Sequence, residues 1–182
     1  MGKRRLILNQ KQTELTIQRL CYQIIENHNG FTESVLIGLQ PRGIYLAKRI
    51  HAALQDITGN KNISLGSLDT TFFRDDFRRR DSPLIANKTQ IDFIIENKKV
   101  ILIDDVLYTG RSIRAGLDAM LAYGRPGLVE LLVLIDRRLS RHLPIEPNYV
   151  GTTIDSVSSE RVEVNWQETD GDDEVFLKEN KG

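Results

Sequence analysis

Two adjacent carboxylates, Asp104 and Asp105, close an apolar run and stand just ahead of a Thr-Gly-Arg-Ser turn: Val100 to Ser112 reads VILIDDVLYTGRS. Neighbouring carboxylates accept hydrogen bonds from a vicinal diol, or share a divalent cation with a phosphate that supplies further oxygens. The hydroxyls of Thr109 and Ser112 add donors for phosphate oxygens, and Gly110 lets the backbone approach closely. This is the outline of a phosphosugar site. A solvated strand end is the bland alternative, but the apolar strand and the Thr-Gly turn on either side weigh against it.

The acids need a scaffold that holds them there. Val100-Ile101-Leu102-Ile103 is apolar on both faces, as in a central strand of a parallel sheet covered on both sides. Ile113, Leu117, Met120 and Leu121 recur at helical spacing, so a helix begins near Arg111 or Ser112. Strand, loop and helix N-terminus therefore meet around Thr109 to Ser112, where unpaired amides and the helix dipole favour an anion. Asp104 and Asp105 are expected where the strand leaves the sheet at its C-terminal edge, the edge at which open α/β sheets bind ligands.

A second strand-loop-helix unit precedes this one. Ser34 to Leu39 reads as a buried strand and Ile44 to Leu54 as a helix, with Gln40-Pro41-Arg42-Gly43 between them. Exposed amides with Arg42 would form a second anion pocket. Upstream, Leu15, Ile17, Leu20, Cys21, Ile24 and Ile25 predict a helix over about Gln10 to His28, stopped by Gly30. Ile63 to Thr71 reads as a strand, and Leu128 to Ile135 as another, apolar throughout. The resulting β-α-β order implies a right-handed crossover and a parallel sheet. Pro144, Pro147 and Gly151 predict irregular structure, Val162, Val164 and Trp166 a short late strand, and Val175-Phe176-Leu177 an edge. The acidic stretch Glu168 to Glu174 reads as a surface turn.

VILIDDVLYTGRS resembles the ribose-phosphate motif of type I phosphoribosyltransferases. Its wording is similar to the PyrR group, bacterial pyrimidine-operon regulators that also carry uracil phosphoribosyltransferase activity. The resemblance extends to Gly38 to Ile50, Asp69 to Asp76 and Leu134 to Val150, and so covers most of the chain. It implies an α/β fold of the type I class: a mostly parallel central sheet flanked by helices, with a small hood. Residues 1–182 would form one domain, with the hood from about 137 to 182 and a flexible loop over about 72–90. Asp104 and Asp105 would hold the ribose hydroxyls of phosphoribosyl pyrophosphate (PRPP). Val106, Leu107, Tyr108, Thr109, Gly110, Arg111 and Ser112 would complete that site, with Thr109 to Ser112 around the 5′-phosphate. Pro41, Arg42 and Gly43 would receive pyrophosphate with Mg²⁺, and Arg42 would join the two acids as catalytic. The charge-dense segment after Phe72 resembles the loop that closes over PRPP, with Arg74 as its foremost cation and Arg78 to Arg80 as alternatives. Asp136 and Arg137 would lie near the base.

Within the motif, purine enzymes of this fold usually carry Asp just before the Thr-Gly pair, whereas this chain has Tyr108. A phenol, which ordinarily ionises at about pH 10, is a poor substitute for a carboxylate near neutral pH. The resemblance therefore implies conversion of uracil and PRPP to UMP and pyrophosphate. An RNA-binding attenuation regulator with little catalysis, a purine phosphoribosyltransferase and an inactive nucleotide-binding fold are the alternatives. For RNA, the first helix offers Lys11 and Arg19, the later segment carries Glu146, Thr152 and Thr153, and Arg137, Arg138 and Arg141 supply a local patch. A pyrimidine-gene mRNA leader, bound in response to UMP, would be the partner of that second function.

Composition sets the remaining bounds. The chain has 182 residues, enough for one substantial core. Its 25 basic and 25 acidic residues balance, so no global cationic field points to nucleic acid or to an anionic membrane. Cys21 is the single cysteine, which excludes an internal disulfide and a multi-cysteine metal site. The apolar run after Lys3-Arg4-Arg5 stops at Leu8, too short for a signal peptide, and no segment is long enough to span a bilayer. A cytoplasmic protein is expected, and by resemblance a homodimer or tetramer. His28, His51 and His142 are dispersed and read as packing or surface residues.

Overall fold

The computed structural model describes residues 4–75 and 85–179. At its centre β2 (Ser34–Leu39), β3 (Ser64–Leu68), β4 (Lys99–Leu107), β5 (Leu128–Arg138) and β6 (Tyr149–Asp155) form a five-stranded sheet. All its pairings are parallel, in the spatial order β3-β2-β4-β5-β6. The apolar runs supply both faces by alternation. Leu36, Ile101, Ile103, Leu132 and Leu134 enter one core, while Val35, Ile37, Val100, Leu102 and Val133 enter the other.

The first core is covered by α1 (Gln10–Asn27) and α2 (Gly43–Thr58). Asn9 starts α1 with a reciprocal cap: its side chain accepts from Gln12 N at 2.9 Å, and Gln12 Oε1 accepts from Asn9 N at 3.0 Å. The buried stripe is Thr13, Ile17, Leu20, Cys21 and Ile24, so the expected Leu15 lies out of phase and faces solvent. The second core is covered by α3 (Arg111–Met120). Its start agrees with the sequence, but its inward stripe is Ile113, Ala115, Gly116, Ala119 and Met120. Leu117 points outward and Leu121, past the last turn, is 65% exposed. The helix lies too close to the sheet for leucines: a methyl group on Gly116 would sit 3.0 Å from Leu39 Cδ2.

A second, antiparallel sheet has the order β1-β8-β7, from β1 (Arg4–Leu8), β8 (Val175–Glu179) and β7 (Glu160–Val164). A short α4 (Gln167–Asp170) joins β7 to β8. This corrects the expected hood in two respects. The chain after residue 137 first extends β5 to Arg138, and Tyr149–Asp155 then pairs along it from Leu132↔Tyr149 to Arg138↔Asp155 as the outer strand of the main sheet. The small sheet also recruits the N-terminal strand, through Arg4↔Lys178 and Leu6↔Phe176. Leu8, Val162, Val164, Trp166, Val175 and Leu177 join the α1/α2 core, so the small sheet is fused to the large one. Among the described residues no helix is long and apolar enough to cross a membrane.

The strand order places the ligand edge. From β2 the chain moves outward to β3, returns across β2 to β4, and continues away to β5 and β6. The connections diverge between β2 and β4, and α2 and α3 leave those strands on opposite faces. A crevice opens at such a switch point, at the C-terminal ends of the strands.

Candidate active site

The last rung between β2 and β4 is Gly38↔Ile103, whereas β4 continues against β5 as far as Leu107↔Asp136. Asp104 and Asp105 therefore lie in the C-terminal part of β4, beyond its partnership with β2. The notch left by β2 holds the loop Gln40-Pro41-Arg42 and the start of α2. Gly43 makes this approach possible, since a methyl group there would sit 2.6 Å from Ile103 O and 2.9 Å from Asp104 Oδ1. One hollow of about 210 Å³ is walled by residues 39–42, Thr70, Arg74, Asp104 to Val106 and Ser112. A larger one of about 530 Å³ is walled by Arg74, Asp75, Asp104 and residues 106–113. They share Arg74, Asp104, Val106 and Ser112 and form one trough.

The trough's charge balance is set by its floor. Burial pushes the Asp104 carboxyl well above its usual range, the Asp105 charge pushes it further, and Arg74 pulls it back. Asp105 is raised as well, chiefly by burial, with Arg42 opposing. Asp105 N donates to Asp104 Oδ1 at 2.9 Å, and Arg42 Nε stands 3.6 Å from Asp105 Oδ2, whose side chain is 13% exposed. Two enclosed acids with partial compensation form a site short of positive charge.

The turn from Thr109 to Ser112 joins β4 to α3. Gly110 sits at φ +91°, in the left-handed region that suits glycine, and is the N-cap residue of α3, which has no side-chain cap. Arg114 N donates to Gly110 O at 3.0 Å and Arg111 N to Thr109 Oγ1 at 3.4 Å, which leaves Ser112 N and Ile113 N as the first-turn amides beside the trough. Arg111 reaches across to Asp75, which also lies 3.5 Å from Arg114. Arg74 is on the trough wall. Arg78, with Arg79 and Arg80, lies outside the described residues.

The expected base-side pair is placed differently. Neither Asp136 nor Arg137 is on the trough wall. Arg137 is 4% exposed and lies under the Tyr108 ring, 3.9 Å from its centroid. Its guanidinium donates to Ser156 Oγ at 2.8 Å and Glu160 O at 2.8 Å. Tyr108 is the wall residue, and Arg137 is the strut behind it. The rest of the expected local patch is engaged as well, Arg138 with Asp155 at 2.8 Å and Arg141 with Asp136 at 2.5 Å, and on the first helix Arg19 donates to Gly151 O at 2.5 Å.

Sequence reasoning missed the role of the acidic turn. Asp170 Oδ2 accepts from Arg42 at 3.1 Å and from Trp166 N at 3.0 Å, and its carboxyl is pulled down to about 2. Arg42 also donates to Val164 O. Arg49 forks onto Glu168 at 2.9 Å and Asp173 at 2.7 Å, with its guanidinium 4.7 Å over the Trp166 ring. These acids bolt the small sheet's connection to α2. The spacing of Glu168, Asp170 and Asp173 carried no hint of it, because their partners are far away in sequence.

A doubly covered parallel sheet with paired acids between two strand-to-helix loops at its switch point is the architecture of a phosphoribosyltransferase, and the phosphoribosyl transferase domain family matches residues 5–169. The fold is shared with the hypoxanthine phosphoribosyltransferase of Trypanosoma cruzi, with TM-score 0.72, 14% identity and 97% of each chain covered. It is shared also with a hypoxanthine-guanine phosphoribosyltransferase of Bacillus anthracis, with TM-score 0.69, 18% identity, and 98% and 99% covered. In sequence the chain is 40% identical to the bifunctional protein PyrR of Bacillus subtilis over 100% of both chains. It is 42% identical to the bifunctional protein PyrR of Chloroflexus aurantiacus over 97% of this chain and 96% of the other. The chain belongs to the PyrR family of phosphoribosyltransferases.

Proposed function

We propose that this protein transfers the phosphoribosyl group of PRPP to N1 of uracil. The C1′–O bond to pyrophosphate breaks, the C1′–N1 bond forms, the N1 proton is lost, and UMP and pyrophosphate leave. The observation that carries this reading is the half-buried pair Asp104 and Asp105 at the floor of one trough, between the arginine-bearing loop at 40–43 and the N-terminus of α3. In that trough the two carboxylates accept the ribose hydroxyls, and the turn from Thr109 to Ser112 takes the 5′-phosphate. Pro41, Arg42 and Gly43 face the departing pyrophosphate. Positive charge develops on the ribose as the leaving group departs, and fixed carboxylates beside it lower that barrier.

Mg²⁺ fits this donor set. Among the described residues no cluster of three or more His, Cys, Asp or Glu side chains would cage a metal, but two carboxylates beside bound phosphates suit an ion that keeps oxygen ligands from its substrate. Asp104 or Asp105 would hold it, and bound there it would neutralise the leaving pyrophosphate. The proposed mechanism needs no protein nucleophile.

Tyr108 ahead of the Thr-Gly pair and kinship to proteins named bifunctional PyrR support uracil over a purine. That name also supports a second function, UMP-dependent binding of a pyrimidine-gene mRNA leader. With Arg137 buried and Arg19 and Arg141 bound to carbonyls or carboxylate, that function rests here on fewer free cations than catalysis does on its donors. A cytoplasmic homodimer or tetramer completes the proposal. Sedimentation of a monomer at working concentration would contradict the assembly. Absence of UMP-enhanced retention of the leader in low-salt filter binding would remove the RNA partner.

The deciding experiment is pyrophosphate release from PRPP and Mg²⁺ with uracil, hypoxanthine, guanine or no base. Uracil-dependent release, lost in Asp105→Asn, is expected. Faster release with hypoxanthine would overturn the choice of base, and none with any base would overturn the enzyme.

A further inference from the structure

We propose that Arg141 is a positioning residue for this reaction: it holds the phosphate turn from behind, so that the turn's amides face the substrate. The inference rests on the phosphoribosyltransferase reading of the trough and concerns a segment outside it. Arg141 stands in the connection between β5 and β6. Its guanidinium donates to Tyr108 O at 2.7 Å and to Asp136 Oδ1 at 2.5 Å. The next two amides, His142 N and Leu143 N, both donate to Thr109 O, at 3.0 and 3.2 Å. Two successive carbonyls of the turn are thereby drawn towards one segment. Packing holds it there: a methyl group on Gly110 would lie 3.2 Å from Ile145 Cδ1 and 3.4 Å from Leu143 Cβ.

Peptide geometry turns this into a statement about the ligand side. In a trans peptide the C=O and N–H point in opposite directions. With the carbonyls of Tyr108 and Thr109 held by the Arg141 segment, the amides of Thr109 and Gly110 point away from it. The trough lies along Tyr108 to Ile113, and residues 139–147 are not among its walls. Arg141 thus aims donors at an anion without touching it. Its side chain is 23% exposed, and its second partner Asp136 pairs in register with Leu107 of β4. One guanidinium therefore fastens the turn that follows β4 to the end of the neighbouring β5. Lysine replaces it only in part, because an ammonium lacks the rigid planar fork that reaches both acceptors in one geometry.

The test is a split between affinity and rate. Arg141→Met is expected to raise the KM for PRPP, and its Kd by titration calorimetry without base, by about 10- to 100-fold, the equivalent of one or two misdirected charge-assisted hydrogen bonds. The KM for uracil and kcat should stay within about threefold, and Arg141→Lys should fall between wild type and the methionine variant. A role in folding alone would lower Tm and the active fraction while leaving both PRPP constants unchanged. That result, or wild-type PRPP affinity in Arg141→Met, overturns the proposal. Should Arg141→Met not fold, Arg141→Lys and Asp136→Asn carry the same measurement. Wild-type protein that binds PRPP but turns over no base would sink the uracil reading and leave the calorimetric test of Arg141 intact. Wild-type protein without affinity for PRPP would overturn both.

Discussion

Replacing Asp104 by asparagine should stabilise the free protein while disabling it. The carboxylate is opposed by burial and by the Asp105 charge, with Arg74 only partly compensating. Asparagine keeps an oxygen that can accept from Asp105 N, as Asp104 Oδ1 does at 2.9 Å, and carries no charge. The sign follows from linkage. An acid whose pKa is raised by folding binds its proton more tightly in the native state, so its contribution to stability falls as pH climbs from the ordinary value of 3.8 through the raised native value. Relief of such a site is worth about 0.5–2 kcal/mol, or about 1–8 °C in Tm for a chain of this size. In melting curves from pH 4 to 9, the gap between Asp104→Asn and wild type should be near zero at the acid end. It should open with rising pH and level off above the native pKa. Activity with PRPP and uracil should fall about 100-fold or more, since the lost charge faces a developing cation. PRPP with Mg²⁺ should raise the wild-type Tm more than the variant's. A lower Tm for the variant at pH 8, or a gain that ignores pH, would refute the account of a site held against its own repulsion.

Gly43→Ala should cost about 1–3 kcal/mol, because the added methyl meets backbone 2.6 Å away at Ile103 O, and should raise the KM for PRPP by displacing Asp104; thermal melts with steady-state kinetics read both. Arg49→Leu removes the fork to Glu168 and Asp173 and the stacking on Trp166. It should lower stability by about 1–3 kcal/mol in denaturant titrations, with a smaller penalty at high salt. Arg137→Met leaves Ser156 Oγ and Glu160 O without their buried donor and Tyr108 without its support. A loss of about 2–4 kcal/mol with a raised KM for uracil is expected, and an unchanged uracil KM would show that Tyr108 does not depend on the strut.

What was legible in the sequence was what depends on near neighbours. The apolar run before Asp104, the Thr-Gly turn and the stripe through Ile17, Leu20, Cys21 and Ile24 report local periodicity, and the strands and helices around the trough stand at or near the predicted positions. Leu117 and Leu121 misled because α3 approaches the sheet through Gly116 and two alanines, and hydrophobicity does not measure that distance. The hood was misdrawn because strand pairing is non-local. Nothing in Arg4-Arg5-Leu6 announces β8 as its partner, and prolines at 144 and 147 concealed a main-sheet strand beginning at Tyr149. Arg137 is expected near the base only through the family resemblance, and its position in the sequence does not show what surrounds it. Its burial depends on Ser156 and Glu160, which the fold delivers from the turn between β6 and β7 and from the first residue of β7.

The edge of β3 also has a consequence for how this chain tolerates variation in length. Asp69 N donates to Thr89 Oγ1 at 2.9 Å, and Ser67 and Gln90 exchange two backbone hydrogen bonds of 2.8 Å. The chain that leaves the sheet after Leu68 is thus fastened again on the same strand, and its two ends lie side by side whatever happens between them. For a span closed in this way, doubling the number of intervening residues costs only about 0.6 kcal/mol of closure entropy. Insertions or deletions between Asp75 and Ile85 are therefore expected to leave the sheet that carries the acids in place.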